Sequence, residues 1–500
     1  MVTENIIGYS TKSGHSFLQG VDPSTETYLE EKFSIADQAV IHEALDKAVD
    51  AFAIYKKWKP FQRADLLDTI AQNIMNLGDT LVKRASLETG LPEARITGER
   101  ARTVGQLKMF ANAVRTGKWE ENFIDHAEPE RQPLPKPDLR KQLIALGPVV
   151  VFTASNFPLA YSTAGGDVAS ALAVGCPVIV KAHESHPGTN ALVAGAIVDA
   201  CKQHHAPDGL FSTLYGYGPE LGQALIKDPR VKAVGFTGSY RAGRAIMDSA
   251  ATRPDPIPVY AEMGSLNPVV ITASAMQARA QTIGDALGAS MTMGTGQFCT
   301  KPGLMIIEEN SKADDFISAL EKKIESTAAL PMLNTRIKSN FLKSLTDLSK
   351  ETKVINYNAE PKIQVHPAIA MVSGDEFLLT HSLHDEVFGP FAVVIRCKNA
   401  DQIKRVLSSL GGQLTGTIWS EPGDSQNESI IEALESISGR LIWNGVPTGV
   451  EVADSMMHGG PFPSTSHPFF GAVGIGALKR WTRPVAYQNF PMEYLPHNLK

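Results

Sequence analysis

Cys299 is the side chain best placed to act as a nucleophile. It lies in Gly294-Thr-Gly-Gln-Phe-Cys-Thr300, after a small-residue segment of helical texture (283–293) and before Pro302-Gly303 and a new apolar run. A cysteine at such a break can be held accessible and react as a thiolate, whereas the same residue turned inward is an inert core thiol. The segment alone allows both readings. Of the four cysteines, the other three, Cys176, Cys201 and Cys397, sit in apolar or alanine-rich surroundings and read as core or near-surface residues.

A thiolate that attacks a carbonyl needs an oxyanion donor and a base. Asn156 stands where the apolar run 149–153 gives way to Ala-Ser-Asn-Phe-Pro158 and a helix. Its amide can donate to a developing oxyanion, or can simply form a turn. Glu262, in Tyr260-Ala-Glu-Met-Gly-Ser265, ends another strand beside a glycine and becomes a general base if partly desolvated. Lys181 closes a buried-looking strand, followed by Ala182-His-Glu184, and points either to solvent or to a cofactor ribose or phosphate at the carboxyl edge of a sheet.

The run Phe236-Thr-Gly-Ser-Tyr-Arg-Ala-Gly243 follows a strand and opens a helix, whose N–H groups can receive a phosphate although the run is not GxGxxG. Asp385-Glu-Val-Phe-Gly-Pro390 places acids in a turn; Glu386 is either solvated or a ligand for ribose hydroxyls. No metal site is expected. The 13 histidines form no HExxH, and neither His204-His205 nor His183 with His186 has a ligand partner at suitable spacing. Neither a G-x-S-x-G elbow nor a Walker pattern occurs.

The elements that must position these residues come from a chain of 500 residues, enough for two or three domains. A formal charge of −6 argues against a general nucleic-acid binder. Unpatterned cysteines, the absence of a secretory leader in 1–18 and the lack of a long uncharged apolar run lead to the expectation of a cytoplasmic protein without a membrane span.

Residues 1–33 read as an irregular lead-in with one or two short strands. Ser34 with Asp37 resembles a capping box, and Ile41, Leu45, Ala48 and Phe52 then recur at helical spacing. A second helix carries Leu66, Ile70, Ile74, Leu77 and Leu81, and 93–113 reads as a third. The proline-rich stretch 118–142 is either a linker or a pair of extended strands that leaves the domain to meet another subunit. From Ile144 onward strands and helices alternate, with a helix over 162–173, which predicts a mostly parallel α/β sheet covered on both faces. A second α/β unit begins near Ile257. The stretch 457–470, rich in glycine, proline, serine and histidine, reads as an ordered loop near a site, and the aromatic tail 472–499 packs on the body or on a partner.

Taken together and in this order, these segments resemble the aldehyde dehydrogenase superfamily over essentially the whole chain. The runs Phe152-Thr-Ala-Ser-Asn-Phe-Pro-Leu-Ala160, Ala164-Gly-Gly-Asp-Val-Ala-Ser-Ala-Leu172, Gly296-Gln-Phe-Cys-Thr300 and Arg483-Pro-Val-Ala-Tyr-Gln-Asn-Phe-Pro491 look most like a branch holding 2,5-dioxopentanoate (α-ketoglutarate semialdehyde) dehydrogenases and NADP-dependent fatty aldehyde dehydrogenases. The resemblance implies an α/β fold with a Rossmann-type cofactor domain (1–117 and 143–256), a catalytic domain (257–471) and small oligomerisation or bridging segments (118–142 and 472–500). It implies Cys299 as nucleophile, Glu262 as base and Asn156 as oxyanion donor. Lys181, Glu184, Gly238, Ser239, Gly243, Glu386 and Phe388 become the residues that hold NAD(P).

The branch leans to NADP, whereas a carboxylate at Glu184 binds free ribose hydroxyls and repels a 2′-phosphate. The implied reaction is oxidation of an aldehyde to a carboxylate through a cysteine thioester by a homodimer or homotetramer. Its first-choice substrate is 2,5-dioxopentanoate, with a long-chain aldehyde as the alternative. Lys301 and Arg102 are conceivable partners for a remote carboxylate, and Phe157 with Tyr161 could line the aldehyde channel or belong to the core. Ser265 and Lys301 depart from the residues many members hold, and the loop 458–470 replaces the family's usual C-terminal loop.

Overall fold

The computed structural model describes residues 1–356 and 363–500. Among the described residues there are two seven-stranded sheets, each built on a parallel centre. The first runs Val259–Glu262, Ala233–Thr237, Val149–Phe152, Val178–Lys181, Phe211–Leu214, Asn5–Ile7 and Ser10–Lys12 in spatial order, with Asn5–Ile7 antiparallel to both of its neighbours. Its central strands Val149–Phe152 and Val178–Lys181 are buried on both faces, which is why they read as unbroken apolar runs. Alternate side chains serve opposite cores. Val149 and Val151 join the helices Pro60–Asn76, Glu93–Thr116 and Pro187–Gln203, while Val150 and Phe152 face the helices Gln38–Tyr55 and Tyr240–Ala251.

The second sheet runs Val354–Ile355, Ala368–Ser373, Phe391–Cys397, Leu304–Glu308, Pro268–Ile271, Gln413–Trp419 and Ser438–Trp443, and only the first of these is antiparallel. A three-stranded antiparallel sheet, Thr482–Gln488, Leu139–Ala145 and Phe123–Asp125, stands apart from both. The stretch 118–142 therefore takes the extended form rather than that of a plain linker, and the tail supplies its third strand.

Several sequence expectations are corrected. The lead-in carries four strands, Asn5–Ile7, Ser10–Lys12, Ser16–Asp22 and Thr27–Ile35. Ser34 lies in the last of these and its hydroxyl accepts from the Gly14 N–H; Asp37 is itself the N-cap, accepting from the Val40 N–H. The helix expected over 162–173 starts only at Gly166 and spans Gly166–Val174. The boundary at 257 falls inside the first sheet, because Val259–Glu262 pairs in parallel with Ala233–Thr237. The segment 472–481 belongs to the first core rather than to the bridging sheet: Ala477, Leu478 and Trp481 are fully buried there, and the Trp481 indole donates to Ser170 Oγ at 2.7 Å.

Candidate active site

Register places four of the expected segments side by side. Phe152 pairs with Lys181 and Phe236, and Thr237 with Glu262, so the loop to Asn156, Lys181, Gly238-Ser239 and Glu262 all leave the same carboxyl edge of the first sheet. Strand order reverses there, between Val149–Phe152 and Ala233–Thr237, which is where open α/β sheets bind ligands. The second sheet contributes its opposite edge. Pro268–Ile271, Leu304–Glu308 and Phe391–Cys397 are neighbours, and the loops that enter them carry Glu262, Cys299 and Glu386.

Cys299 sits on a constrained loop. Gly294, Thr295 and Gly296 all have left-handed φ, of 56°, 58° and 63°. That conformation is unfavourable for a β-branched threonine and is held only by the surrounding structure. Part of that hold comes from Asn267, itself left-handed and fully buried, whose amide donates to the carbonyls of Cys299 (2.8 Å) and Lys301 (2.9 Å). On the other side the Asn156 amide donates to the Gln297 carbonyl at 3.0 Å, two residues before the sulfur. An amide nitrogen has two hydrogens, so one remains for another acceptor.

The residue that sequence reasoning missed is His458. Its Nε2 lies 3.4 Å from Cys299 Sγ and 2.9 Å from Glu262 Oε1, and the three side chains converge within 4.8 Å of one another. The composition of 457–470 pointed to the loop but not to the residue, since 159 positions separate it from Cys299. The loop is brought there by backbone: Met263 N–H donates to the Ser464 carbonyl, and Glu262 bridges to Thr465. Burial disfavours the imidazolium, but the charges of Glu262 and Cys299 outweigh it and push the His458 pKa up to about 10. Its single Nε2 hydrogen is aligned with sulfur, and both oxygens of the buried Glu262 carboxylate lack an aligned hydrogen bond. A carboxylate so placed can take a proton from water.

The other thiols behave as core groups. Burial pushes Cys176 up to about 11, and Cys201 and Cys397 up to about 12. Phe157 stands edge-on to Tyr161 (5.3 Å) and to Phe298 (5.2 Å), and Tyr161 lies 5.7 Å from the His458 ring. These aromatic side chains therefore cluster beside Cys299 and His458, and Tyr161 also joins a small core with Ala154 and Val473. Lys301 is engaged by backbone: its buried Nζ donates to the carbonyls of Val387 (3.2 Å) and Phe391 (2.5 Å). Burial pushes the Glu386 carboxyl upward while the Lys301 ammonium opposes the shift. Gly264 is needed for this packing, because a Cβ there would lie 2.1 Å from Glu386 Oε2. Phe388 is half-buried in the same turn.

A family model described as "Aldehyde dehydrogenase family" matches residues 9–482. The chain belongs to the aldehyde dehydrogenase family. It is 45% identical over 504 aligned positions to "Alpha-ketoglutaric semialdehyde dehydrogenase 2" of Azospirillum brasilense, covering 99% of this chain and 96% of that one. It is 42% identical over 474 positions to "Alpha-ketoglutaric semialdehyde dehydrogenase" of Acinetobacter baylyi, covering 94% and 90%. Among solved structures, the 1-pyrroline-5-carboxylate dehydrogenase from Thermus with bound NAD matches with a TM-score of 0.84 at 21% identity, over 97% of this chain and 92% of that one.

The protein is an NAD(P)-dependent aldehyde dehydrogenase. The donor set at the carboxyl edge of its first sheet fits that cofactor. Lys181 is buried and its Nζ lies 2.8 Å from Glu184, a carboxyl that His183 and Lys181 hold down to about 2 against the cost of burial. Ser239 caps the helix Tyr240–Ala251, leaving the N-terminus of a 12-residue helix facing outward, where backbone N–H groups are able to receive an anion. Gly238 and Gly243 also have packing roles, since a Cβ at either would press on Phe236 or Met263. No helix among the described residues is long and apolar enough to cross a membrane.

Proposed function

We propose that this aldehyde dehydrogenase oxidises 2,5-dioxopentanoate, the semialdehyde of 2-oxoglutarate, to 2-oxoglutarate. The observation that carries the mechanism is the buried cluster of Cys299, His458 and Glu262, with 3.4 Å and 2.9 Å separating its reactive atoms. The Cys299 sulfur, with the His458 imidazolium facing it, attacks the aldehyde carbon as a thiolate. The carbonyl oxygen takes up the negative charge, and the free Asn156 amide hydrogen together with the Cys299 backbone N–H stabilises it. NAD(P)⁺, when bound, supplies the hydride acceptor that turns this adduct into a thioester. Glu262, whose oxygens have no aligned partner, takes a proton from the water that attacks the thioester carbon. The bond to sulfur breaks, and the carboxylate leaves.

In this reading the first sheet and its helices hold the cofactor, with Lys181 and Glu184 on the adenosine side and Glu386 and Phe388 on the nicotinamide side. The ionised Glu184 favours NAD over NADP, because it accepts from ribose hydroxyls and repels a 2′-phosphate. The described cysteines form no disulfide, in keeping with a cytoplasmic setting. The names of the two relatives above support the substrate. A second reading, a long-chain aldehyde, is favoured by the apolar side chains Phe157, Phe298, Val450 and Met456 around the approach. Steady-state rates with 2,5-dioxopentanoate, succinic semialdehyde and a long-chain aldehyde, each with NAD and NADP, separate the two. The highest kcat/KM is expected for 2,5-dioxopentanoate with NAD; dominant turnover of the long-chain aldehyde would sink the substrate assignment.

A further inference from the structure

Two arginines bind the stretch 447–450 and have no carboxylate partner among the described residues. Arg102, on the helix Glu93–Thr116, donates Nε to the Val450 carbonyl (3.2 Å) and Nη2 to the Tyr161 hydroxyl (3.1 Å). Its guanidinium carbon stands 5.1 Å from the centre of the Tyr161 ring. Its Nη1 is buried and has no hydrogen-bond partner. Arg440, on the strand Ser438–Trp443, donates to the carbonyls of Gly449 (2.9 Å) and Pro447 (2.6 Å), and its Nε is likewise buried without a partner. Its charge reaches both Cys299 and Tyr161.

The two side chains thus hold one short stretch, 447–450, and Arg102 ties that stretch to Tyr161, whose ring stands beside His458. Neither forms an ion pair among the described residues, whereas Arg95, two turns before Arg102 on the same helix, is neutralised by Glu99 at 2.9 Å. A guanidinium drawn out of water with donors unused is unfavourable unless an anion arrives to complete it.

We propose that Arg102 and Arg440 receive the carboxylate at the far end of the aldehyde substrate and make acidic aldehydes the preferred substrate class. The inference rests on the reading of Cys299 as the nucleophile. An extended five-carbon dioxo acid places its carboxylate carbon ~5 Å from its aldehyde carbon, by the sum of C–C advances at ordinary bond lengths. Arginine suits the task because its planar fork matches a carboxylate in two bonds. Lys301, the other cation considered for this role, is engaged by Val387 and Phe391. Phe157, Val450 and Met456 pack against the cluster that holds Tyr161 and suit the substrate's methylenes.

The test compares kcat/KM for 2,5-dioxopentanoate with that for pentanal in the wild type and in R102M, R440M and R440K. The ratio cancels any effect of the lost charge on the sulfur itself. It is expected to fall about 30-fold or more in each methionine variant, chiefly through KM for the acidic substrate, as for loss of a buried charged partner. R440K should fall between. Competitive inhibition by 2-oxoglutarate against pentanal should weaken in parallel. Ratios within three-fold of wild type in both methionine variants overturn the assignment. Should those variants not fold, the wild type decides: inhibition by 2-oxoglutarate but not by glutaramide supports the site, and equal inhibition by both overturns it. A wild type inactive on both aldehydes would defeat the dehydrogenase reading instead, and is thereby distinct from a ratio that fails to move.

Discussion

At His458 one hydrogen on Nε2 stands between two acceptors, the sulfur of Cys299 and an oxygen of Glu262. With a pKa raised to about 10, the ring is a cation throughout the neutral range. Replacing it by glutamine keeps a polar side chain and removes the charge. The rate of Cys299 alkylation by iodoacetamide should then fall about tenfold or more at pH 7, as expected when a thiolate loses an adjacent cation. The difference between wild type and H458Q should be widest near neutral pH, shrink as the variant's thiol ionises, and be gone above about pH 10, where the imidazole loses its proton. The stability linkage has the same direction. A histidine whose folded pKa is raised stabilises the fold fully below its ordinary value, ~6.5, and the contribution is lost as pH rises through the folded value. The gap in melting temperature between wild type and H458Q should therefore be widest below pH 6.5 and shrink toward pH 10. A gap that widens with rising pH would contradict a charged His458.

The loop that carries Cys299 shows what a single element needs in order to hold a nucleophile in place. The residues that follow its three left-handed positions are tied to neighbouring segments by the amides of Asn156 and Asn267. The Asn267 carboxamide oxygen also accepts from Ser265 Oγ and Thr415 Oγ1, so the side chain is fully engaged. N267A would strip the carbonyls of Cys299 and Lys301 and the hydroxyl of Thr415 of a partner in a buried site. A loss of about 2–4 kcal/mol is expected by urea unfolding, from unsatisfied buried polar groups. The iodoacetamide rate should fall as well, because the sulfur is no longer fixed against His458; an unchanged rate would mean that the loop holds its shape without Asn267.

Much of this was legible in the chain. Apolar runs such as 149–152 and 178–180 announce doubly covered strands, and the residues that follow them announce the carboxyl edge. Asn267 and His458 were not legible. One looks like a turn former in Leu-Asn-Pro and the other like part of a glycine-rich loop, and each acquires its role only from partners brought in by the crossing of two sheets. The boundary near 257 is hidden in the sequence for a related reason: Val259–Glu262 closes the first sheet while its next five residues enter the second.

Across the whole molecule, the three-stranded sheet of Thr482–Gln488, Leu139–Ala145 and Phe123–Asp125 is the least self-sufficient part. Its outer strand is exposed throughout, with Phe123 at 54% and Ile124 at 42% of full exposure, and the tail beyond it leaves Phe490, Met492 and Tyr494 at 44%, 49% and 71%. An uncovered apolar edge strand invites pairing with another chain, and a sheet this small gains little from standing alone. The edge is also anchored to the catalytic body. Its middle strand ends at the Leu146 N–H, bonded to the Trp481 carbonyl, and the buried Arg140 reaches the carbonyl of Leu499 at the chain end. A second copy docked there would therefore bear on the first core, and the expected assembly is a homodimer or a pair of dimers joined through this sheet. The double variant F123E/I124K places opposite charges on the edge without touching either catalytic sheet. In sedimentation velocity at micromolar concentration the wild type should run as a dimer or tetramer and the variant should shift to a species half that size or smaller. Circular dichroism of the variant should stay that of a folded α/β protein. A wild type that sediments as a monomer, or a variant whose assembly is unchanged, would place the oligomer interface elsewhere.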